Sequence, residues 1–136
     1  MANIFLSYKF TGEPYGPLRE LLNKIEKNLT KKGHKVFCSI DLQQFYKKNG
    51  MSSYQSQLDY CLQQQKDSDT VIAIIKSEEV SNGMLAELKL SKKFQQKVFL
   101  IIKKGLKFKT FRNIAIQTIE FENENEITAC VDKLHL

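Results

Sequence analysis

Three consecutive stretches decide the fold: Thr70-Val-Ile-Ala-Ile-Ile75, then Ser81-Asn-Gly-Met-Leu-Ala-Glu-Leu-Lys-Leu-Ser-Lys-Lys-Phe94, then Lys97-Val-Phe-Leu-Ile-Ile102. The first and third are apolar and have the length of buried strands, whereas the middle one repeats its apolar residues at helical spacing. Parallel strands need a crossover connection, which is usually an α-helix. The three stretches therefore predict a strand, a crossover helix and a second parallel strand.

A carboxylate interrupts the apolar face of this predicted helix. At about 100° per residue, Glu87 falls on the apolar face and not with the lysines. That face is formed by Met84, Leu88, Leu90, Ser91 and Phe94. Burial raises the pKa of a carboxyl, and the nearby helix N-terminus lowers it. Because open α/β sheets bind ligands at the carboxyl ends of their strands, Glu87 is a candidate nucleophile or general base. The alternative is an ion pair with a lysine at the rim of the core.

Further strand and helix patterns alternate around this unit. They are a strand over residues 3–8, a helix from Pro17 to just before Gly33, a strand over 34–39, a helix from Ser52 or Ser53 to Lys66, an edge strand over 118–121 and a closing helix over 124–136. Residues 40–51 are predicted as a long loop, and residues 103–113 as a basic loop with a short helical turn. The alternation predicts an α/β fold, a doubly wound, flavodoxin-like three-layer sandwich with a mostly parallel five-stranded sheet.

Two loops at the carboxyl edge of the predicted sheet offer ligand contacts. Ser7, Tyr8 and Gly12 lie at or just after the end of the first strand, within reach of a ligand there, although a plain connector is the alternative. The loop after the second strand is long for a compact domain and contains Asp41 as a candidate binding residue. It also offers groups for hydrogen bonds or stacking, namely Gln43, Gln44 and Tyr46.

Length and composition are those of an ordinary globular protein. The 136 residues, 42% hydrophobic and 26% charged, predict a single domain over residues 1–136. The apolar runs are too short to span a membrane, and the opening residues predict a strand and not a signal peptide. The three cysteines are widely spaced and indicate neither a disulfide framework nor a zinc site. We therefore expect a cytoplasmic protein without a metal or cofactor.

The net charge of +6 makes an anionic partner plausible. The lysines are scattered without an interleaved aromatic pattern, so a nucleotide phosphate fits better than a nucleic-acid polymer. Nothing pairs His34 or His135 with a nucleophile, which argues against Ser/His or Cys/His hydrolysis.

Three segments together resemble a known enzyme family. They are Ile4-Phe-Leu-Ser-Tyr-Lys-Phe-Thr-Gly12, Gly33-His-Lys-Val-Phe-Cys38, and Asp69-Thr-Val-Ile-Ala followed by Gly83-Met-Leu-Ala-Glu-Leu88. This pattern is similar to the nucleoside 2-deoxyribosyltransferase superfamily, which includes 2'-deoxynucleoside 5'-phosphate and pyrimidine nucleotide N-glycosidases. The resemblance covers most of the chain up to residue 102, and its most specific part is the Gly-Met-x-x-Glu-Leu spacing.

The resemblance implies roles for the candidate residues. Glu87 would attack the anomeric carbon of a nucleoside or nucleotide and form a glycosyl-enzyme ester, which water or a second base resolves. The sugar would be framed by Ser7, Tyr8 and Gly12. The residues that line the 5' end of the substrate would be Ser81, Asn82 and Gly83, with Met84 beside them. The family also implies a homodimer or larger homo-oligomer.

Two positions depart from the family pattern. Ser81, six residues before Glu87, stands where transferases of free nucleosides have an aspartate. A serine there is more like the branch that accepts 5'-monophosphates, because an acidic group would repel the phosphate. Cys61 falls near the place of a family carboxylate on the second helix, and Asp59 points away. The proton donor to the leaving base is therefore unassigned.

Two alternatives remain open from the sequence. The opening Phe5-Leu-Ser-Tyr8 resembles the first strand of TIR domains, which share the order of elements and use a helix-borne glutamate to cleave NAD. The Gly83-Met84 approach to Glu87 is more similar to the transferases. The second alternative is a catalytically silent binding or assembly module in which Glu87 forms a structural ion pair.

Overall fold

The computed structural model describes residues 1–9 and 12–136. The strands are β1 (Asn3–Tyr8), β2 (Lys35–Phe37), β3 (Thr70–Ile75), β4 (Lys97–Lys103) and β5 (Ala115–Phe121). The helices are α1 (Tyr15–Lys31), α2 (Gln43–Lys48), α3 (Tyr54–Lys66), α4 (Asn82–Lys93), α5 (Lys109–Ile114) and α6 (Ile127–Asp132), with a 3-10 turn at Glu124–Glu126 before α6. Within these described ranges, no helix combines the length and the apolar character needed to cross a membrane.

Within the described residues, five strands form one parallel sheet in the order β2-β1-β3-β4-β5. The central strand β3 is buried along its whole length, as expected of a parallel strand with both faces covered. The direction of winding reverses between β1 and β3, and sheets of this kind bind ligands at the carboxyl ends of the strands beside such a reversal. The predicted doubly wound, flavodoxin-like fold is confirmed.

Helices cover both faces of the sheet because successive strand residues point to opposite sides. Ile4, Leu6 and Ile72 lie on the face that packs against α1 and α6. Phe5, Val71 and Ala73 lie on the opposite face, which is covered by α3, α4 and α5. The helix predicted from Pro17 to just before Gly33 is α1, and its apolar residues Leu18, Leu22, Ile25 and Leu29 form the buried face.

Several element boundaries differ from the sequence prediction. The supposed loop over residues 40–51 contains α2, which buries only Tyr46 and is too short for helical periodicity to be recognised. The basic segment likewise contains α5, and the closing helix is confined to α6 after its 3-10 turn. Helix α1 begins at Tyr15, two residues before the predicted start at Pro17. Gly33 follows α1 as predicted, with a left-handed φ of +92°.

Phe94, which was predicted on the apolar face of the crossover helix, is exposed, and Tyr54 at the start of α3 is exposed as well. Tyr54 is the first residue of α3 and 66% exposed, and Phe94 follows the last residue of α4 and is 46% exposed. The ring of Phe94 is contacted by ammonium groups, because Lys66 and Lys93 Nζ each lie 5.7 Å from its centroid. The helical pattern was wrong at Phe94 because this residue follows the end of α4.

Candidate active site

A hydrogen bond joins the end of β1 to the middle of α4. Ser7 points to the face covered by α3, α4 and α5, because its neighbours Leu6 and Tyr8 belong to the core on the α1 side. Ser7 is buried, and its Oγ donates to Oε1 of Glu87 across 2.6 Å. This distance is typical of a charge-assisted O–H···O bond. The carboxylate is therefore fixed at the carboxyl edge of the sheet.

The start of α4 sets the direction of the Glu87 side chain. Ser81 caps the helix, and its Oγ accepts the backbone N–H of Met84 across 3.2 Å. The helix then buries Met84, Leu88 and Ser91. Glu87 is the sixth residue of the helix and lies beyond its first turn, where the effect of the helix dipole has weakened.

Burial governs the protonation of Glu87. Desolvation raises the pKa of its carboxyl from 4.5 to about 7, and the hydrogen bond from Ser7 acts in the opposite direction. Among the residues that the structure describes, no ion pair involves Glu87, so the alternative of a pairing with a lysine is not observed there. Near neutral pH the carboxyl is poised between its neutral and ionised forms.

Glu87 opens into a cavity of about 250 Å³ beside the end of β1. The walls come from β1, the segment after β2, α2, α3 and the start of α4. The lining residues are Tyr8, Ser39, Gln43, Tyr46, Tyr54, Gln57, Leu58, Cys61, Ser81, Gly83, Met84 and Glu87. Within the described part of the chain this lining contains no lysine or arginine, and its single carboxylate is Glu87.

Hydroxyl and thiol groups face one another in the cavity wall. The Tyr46 hydroxyl lies 3.4 Å from Sγ of Cys61, and the Tyr8 hydroxyl lies 2.8 Å from Oγ of Ser39. Burial raises the pKa of Tyr8, of Tyr46 and of the Cys61 thiol, so these groups are neutral at pH 7. They can exchange hydrogen bonds with a ligand without introducing a charge.

The arrangement suits covalent chemistry by a carboxylate. A partly desolvated carboxylate that opens into a cavity can attack an electron-poor carbon, and neutral donors around it can orient the rest of the ligand. Across residues 1–9 and 12–136, no cluster of three or more His, Cys, Asp or Glu side chains could hold a metal ion.

Most of the residues predicted from the sequence lie together here. Tyr8, Ser81, Gly83 and Met84 line the cavity beside Glu87. Ser7 on β1 is not part of the lining, but it donates a hydrogen bond to the Glu87 carboxylate. The two sequence segments that supplied these candidates, the end of the first strand and the start of the crossover helix, therefore form one site.

Four other predicted residues lie outside the cavity lining, namely Gly12, Asp41, Gln44 and Asn82. Gly12 is exposed with φ +82°, and Asn82 is the exposed first residue of α4. The Asp41 carboxylate accepts hydrogen bonds from the Tyr15 hydroxyl and the Arg19 guanidinium, both on α1. Their roles in substrate binding stay predictions.

The wall formed by α3 was missed as part of the site. Tyr54, Gln57, Leu58 and Cys61 line the cavity and are spaced i, i+3, i+4 and i+7 along one helix face. This spacing is visible in the sequence, but it indicates only one face of a helix and does not show what that face contacts. Ser39 was missed as well, since it follows a strand that is shorter than predicted.

Solved structures share this fold over nearly the whole chain. The CMP N-glycosidase BcmB of Clostridium botulinum has a TM-score of 0.68 at 17% identity, over 96% of this chain and 97% of its own. The 2-deoxyribosyltransferase of Bacillus psychrosaccharolyticus has a TM-score of 0.63 at 22% identity, over 96% of each chain. A flavodoxin-like domain from Synechococcus has a TM-score of 0.52 at 15% identity, over 96% of this chain and 92% of its own.

No protein-family model matches the chain, and no curated protein sequence matches it significantly. At the identities of the structural neighbours, the likeness is one of fold. The fold that this resemblance to the nucleoside 2-deoxyribosyltransferase superfamily implies is confirmed, because an N-glycosidase and a 2-deoxyribosyltransferase share it.

Proposed function

We propose that the protein is a member of this superfamily that cleaves or transfers the N-glycosidic bond of a nucleoside or nucleoside 5'-monophosphate. The observation that carries the proposal is the Glu87 carboxyl, which is held by Ser7 and opens into a cavity of about 250 Å³. The fold shared with a CMP N-glycosidase and a 2-deoxyribosyltransferase supports the same class of bond.

In the proposed reaction, Glu87 is the nucleophile. One carboxylate oxygen bonds to the anomeric carbon while the bond from that carbon to the base nitrogen breaks and its electron pair leaves with the base. Ser7 donates to Oε1, and no donor among the described residues occupies Oε2, which makes Oε2 the attacking atom. Water, or a second base in a transfer reaction, then displaces Glu87 from the sugar and restores the carboxylate.

The leaving base must gain a proton, and the cavity offers neutral hydrogen-bond donors to it. Asp59, the carboxylate nearest to Cys61 in the sequence, is exposed and accepts a hydrogen bond from Gln55. The candidate donors at the cavity wall are Tyr46 and Cys61. Both have raised pKa values, so they stabilise the departing base by hydrogen bonding and do not give up a proton themselves. In hydrolysis, the base takes the proton that the water releases when it displaces Glu87 from the sugar.

The 5' end of the substrate is proposed to meet the start of α4. Ser81 and Gly83 line the cavity there, and Ser81 carries no charge that would repel a phosphate. The lining residues lack a lysine or arginine in the described ranges, so the phosphate would be met by hydroxyl groups and by backbone N–H groups of the helix N-terminus. Gly12, Asp41 and Asn82 are proposed as further contacts at the rim.

The oligomeric state and setting are proposals from the family resemblance. We infer a homodimer or larger homo-oligomer of single-domain chains in the cytoplasm, acting on a small molecule without a cofactor and not on a nucleic-acid polymer or membrane. Light scattering coupled to size-exclusion chromatography tests the assembly, and a monomer at micromolar concentration would contradict it.

The deciding experiment is a substrate panel with a matched inactive variant. The protein is incubated with nucleosides, 2'-deoxynucleosides, their 5'-monophosphates and NAD, and chromatography detects released base or nicotinamide. We expect base release by the wild type and none by Glu87→Gln, which keeps the shape of the side chain but removes its nucleophilic charge.

Other outcomes of the panel point elsewhere. Release of nicotinamide alone would favour the TIR-like alternative. An absence of turnover, with equal ligand binding by the wild type and Glu87→Gln, would favour a silent binding module. Turnover by Glu87→Gln at the wild-type rate would remove Glu87 from the chemistry.

A further inference from the structure

A buried glutamine ties α3 to the backbone of Glu87. Gln65 lies in the last turn of α3 and is fully buried, and its Nε2 donates to the carbonyl oxygen of Glu87 across 2.7 Å. The side chain of the same glutamate is held by Ser7 on β1. We propose that Gln65 is a positioning residue that holds Glu87 at the end of β1 for attack on the substrate. This inference rests on the function proposed above.

Counting donors assigns the hydrogens of the Gln65 amide. Its Nε2 also lies 2.9 Å from Ser91 Oγ and 3.1 Å from Gln96 Oε1, but an amide nitrogen carries only two hydrogens. Ser91 Oγ lies 3.3 Å from Gln96 Oε1 and can donate to it. The two hydrogens of Gln65 therefore go to the Glu87 carbonyl and Ser91 Oγ. Gln96 Nε2 completes the network by donating to the carbonyl oxygens of Gln65 and Ser68.

The orientation of the Gln65 amide is fixed by its surroundings. Turning it over would place Oε1 against the carbonyl oxygen of Glu87, which cannot donate a hydrogen bond. In the orientation observed, Oε1 is buried and has no partner among the described residues. An unpaired buried oxygen costs free energy that an apolar side chain of similar size would avoid. The bond to Glu87 is a contact that an apolar side chain could not replace.

This bond acts on the residue that performs the chemistry. The carbonyl of Glu87 also accepts the regular helix bond from the residue four positions later, so Gln65 occupies its second lone pair. Carboxylate and backbone of Glu87 are thus held from two different elements, β1 and α3. A small shift of α4 would lengthen the 2.6 Å bond to Ser7 and misdirect the nucleophile.

The kinetic test compares two substitutions in the same network. Gln65→Met removes the donor to Glu87, whereas Ser91→Ala opens the network but leaves that donor in place. We expect Gln65→Met to lower kcat by about tenfold or more at an unchanged KM, because a misplaced nucleophile mainly affects the chemical step. Ser91→Ala should stay within about twofold of the wild-type kcat. Equal losses in both variants, or no loss in Gln65→Met, would overturn the proposal.

A second readout needs no substrate. The titration of Glu87 is measured as the pH dependence of the difference in unfolding free energy between each background and the same background with Glu87→Gln. The other ionisable side chains that line the cavity are Tyr8, Tyr46, Tyr54 and Cys61. Phenols and thiols ordinarily titrate above pH 8, so the titration of Glu87 is followed between pH 5 and pH 8.

Loss of the hydrogen bond from Ser7 would move the midpoint of the Glu87 titration to a higher pH. We expect a rise of about 0.5 unit or more in Gln65→Met and no change in Ser91→Ala. An unchanged or lower midpoint in Gln65→Met overturns the positioning role. If no substrate is turned over, the proposed function fails while this titration still decides the role of Gln65. If Gln65→Met does not fold, Gln65→Asn, whose amide is too short to reach the Glu87 carbonyl, carries the same comparison.

Discussion

Ser7 and Glu87 are 80 positions apart in the sequence, yet Oγ of the serine and Oε1 of the glutamate are 2.6 Å apart in the fold. The serine supplies a hydrogen bond that favours the ionised carboxylate, while burial of the pair favours the neutral acid. Burial dominates, and the ionised form of Glu87 is therefore populated only in part at neutral pH.

The first prediction concerns the pH dependence of turnover. Because the pKa of Glu87 is about 7 and the nucleophile must be ionised, kcat/KM should rise with pH through a midpoint near 7. Base release measured from pH 5 to 9 checks this. A profile that is flat over the whole range would mean that ionisation of Glu87 does not limit the reaction.

The second prediction concerns Ser7→Ala. Removing the hydroxyl removes a hydrogen bond to a charged group, which is worth about 1.5–3 kcal/mol, so the pKa of Glu87 should rise by about one unit or more. The rise of kcat/KM should therefore move to higher pH, and turnover at pH 7 should fall about tenfold. Ser77→Ala is the control, since Ser77 hydrogen-bonds the backbone of Glu79 outside the cavity lining. An unmoved limb in Ser7→Ala would contradict the role given to the bond.

The third prediction concerns the stability of Glu87→Gln. The folded-state pKa of Glu87 is raised, so the folded protein holds a proton that the unfolded chain has lost, and stability falls as pH rises from 4.5 to about 7. A pKa shift of this size lowers the free energy of unfolding of the wild type by about 3 kcal/mol above pH 7, relative to its value at low pH. Glutamine is neutral throughout, so Glu87→Gln should gain stability over the wild type between pH 5 and pH 8.

Urea unfolding at several pH values measures this gain. Glu126→Gln is a control that should change the pH dependence of stability in the opposite direction. The pKa of Glu87 is raised, whereas backbone N–H groups of Asn123 and Glu122 lower the pKa of Glu126. Its contribution to stability is present above the ordinary pKa of a glutamate and lost as pH falls. A pH-independent difference between wild type and Glu87→Gln would show that Glu87 is more hydrated than its burial indicates.

The fourth prediction concerns the cavity wall. Tyr46→Phe removes the hydroxyl that faces Cys61 but keeps the ring, so the free energy of unfolding should change by less than about 1 kcal/mol. If this hydroxyl contacts the base, kcat/KM should fall by about threefold to tenfold, and unequally for different bases. Tyr60→Phe is the control, because Tyr60 packs on Phe37 and Phe45 and does not line the cavity. Equal effects of the two variants would exclude a base contact by Tyr46.

The central unit of the fold could be predicted because its signals are local. The strands β3 and β4 are continuous apolar runs, and α4 has both a Ser81 cap and a periodic face. Helix α2 could not be predicted, since it is short, mostly polar and lacks a side-chain cap. Its position depends on the packing of Tyr46 and on the aromatic contacts of Phe45 with Tyr60.

The candidate site was predictable where it is built from strand ends and a helix start. Glu87 stood out as a carboxylate on an apolar face, but its partner Ser7 could be found only through the pairing of β1 with β3. The burial of Gln65 could not be predicted from the sequence, because a glutamine near a helix end is ordinarily solvated. Asp41 was proposed as a ligand contact, whereas its bonds to α1 depend on tertiary geometry that no local pattern encodes.

The buried carboxyl also has a consequence for protein engineering. A library screened for heat resistance in alkaline buffer would enrich neutral replacements at position 87, because the ionised carboxyl opposes folding there. Such a screen would select more stable variants that had lost the proposed nucleophile. Selection in mildly acidic buffer, where the wild-type side chain keeps its proton, would remove that bias.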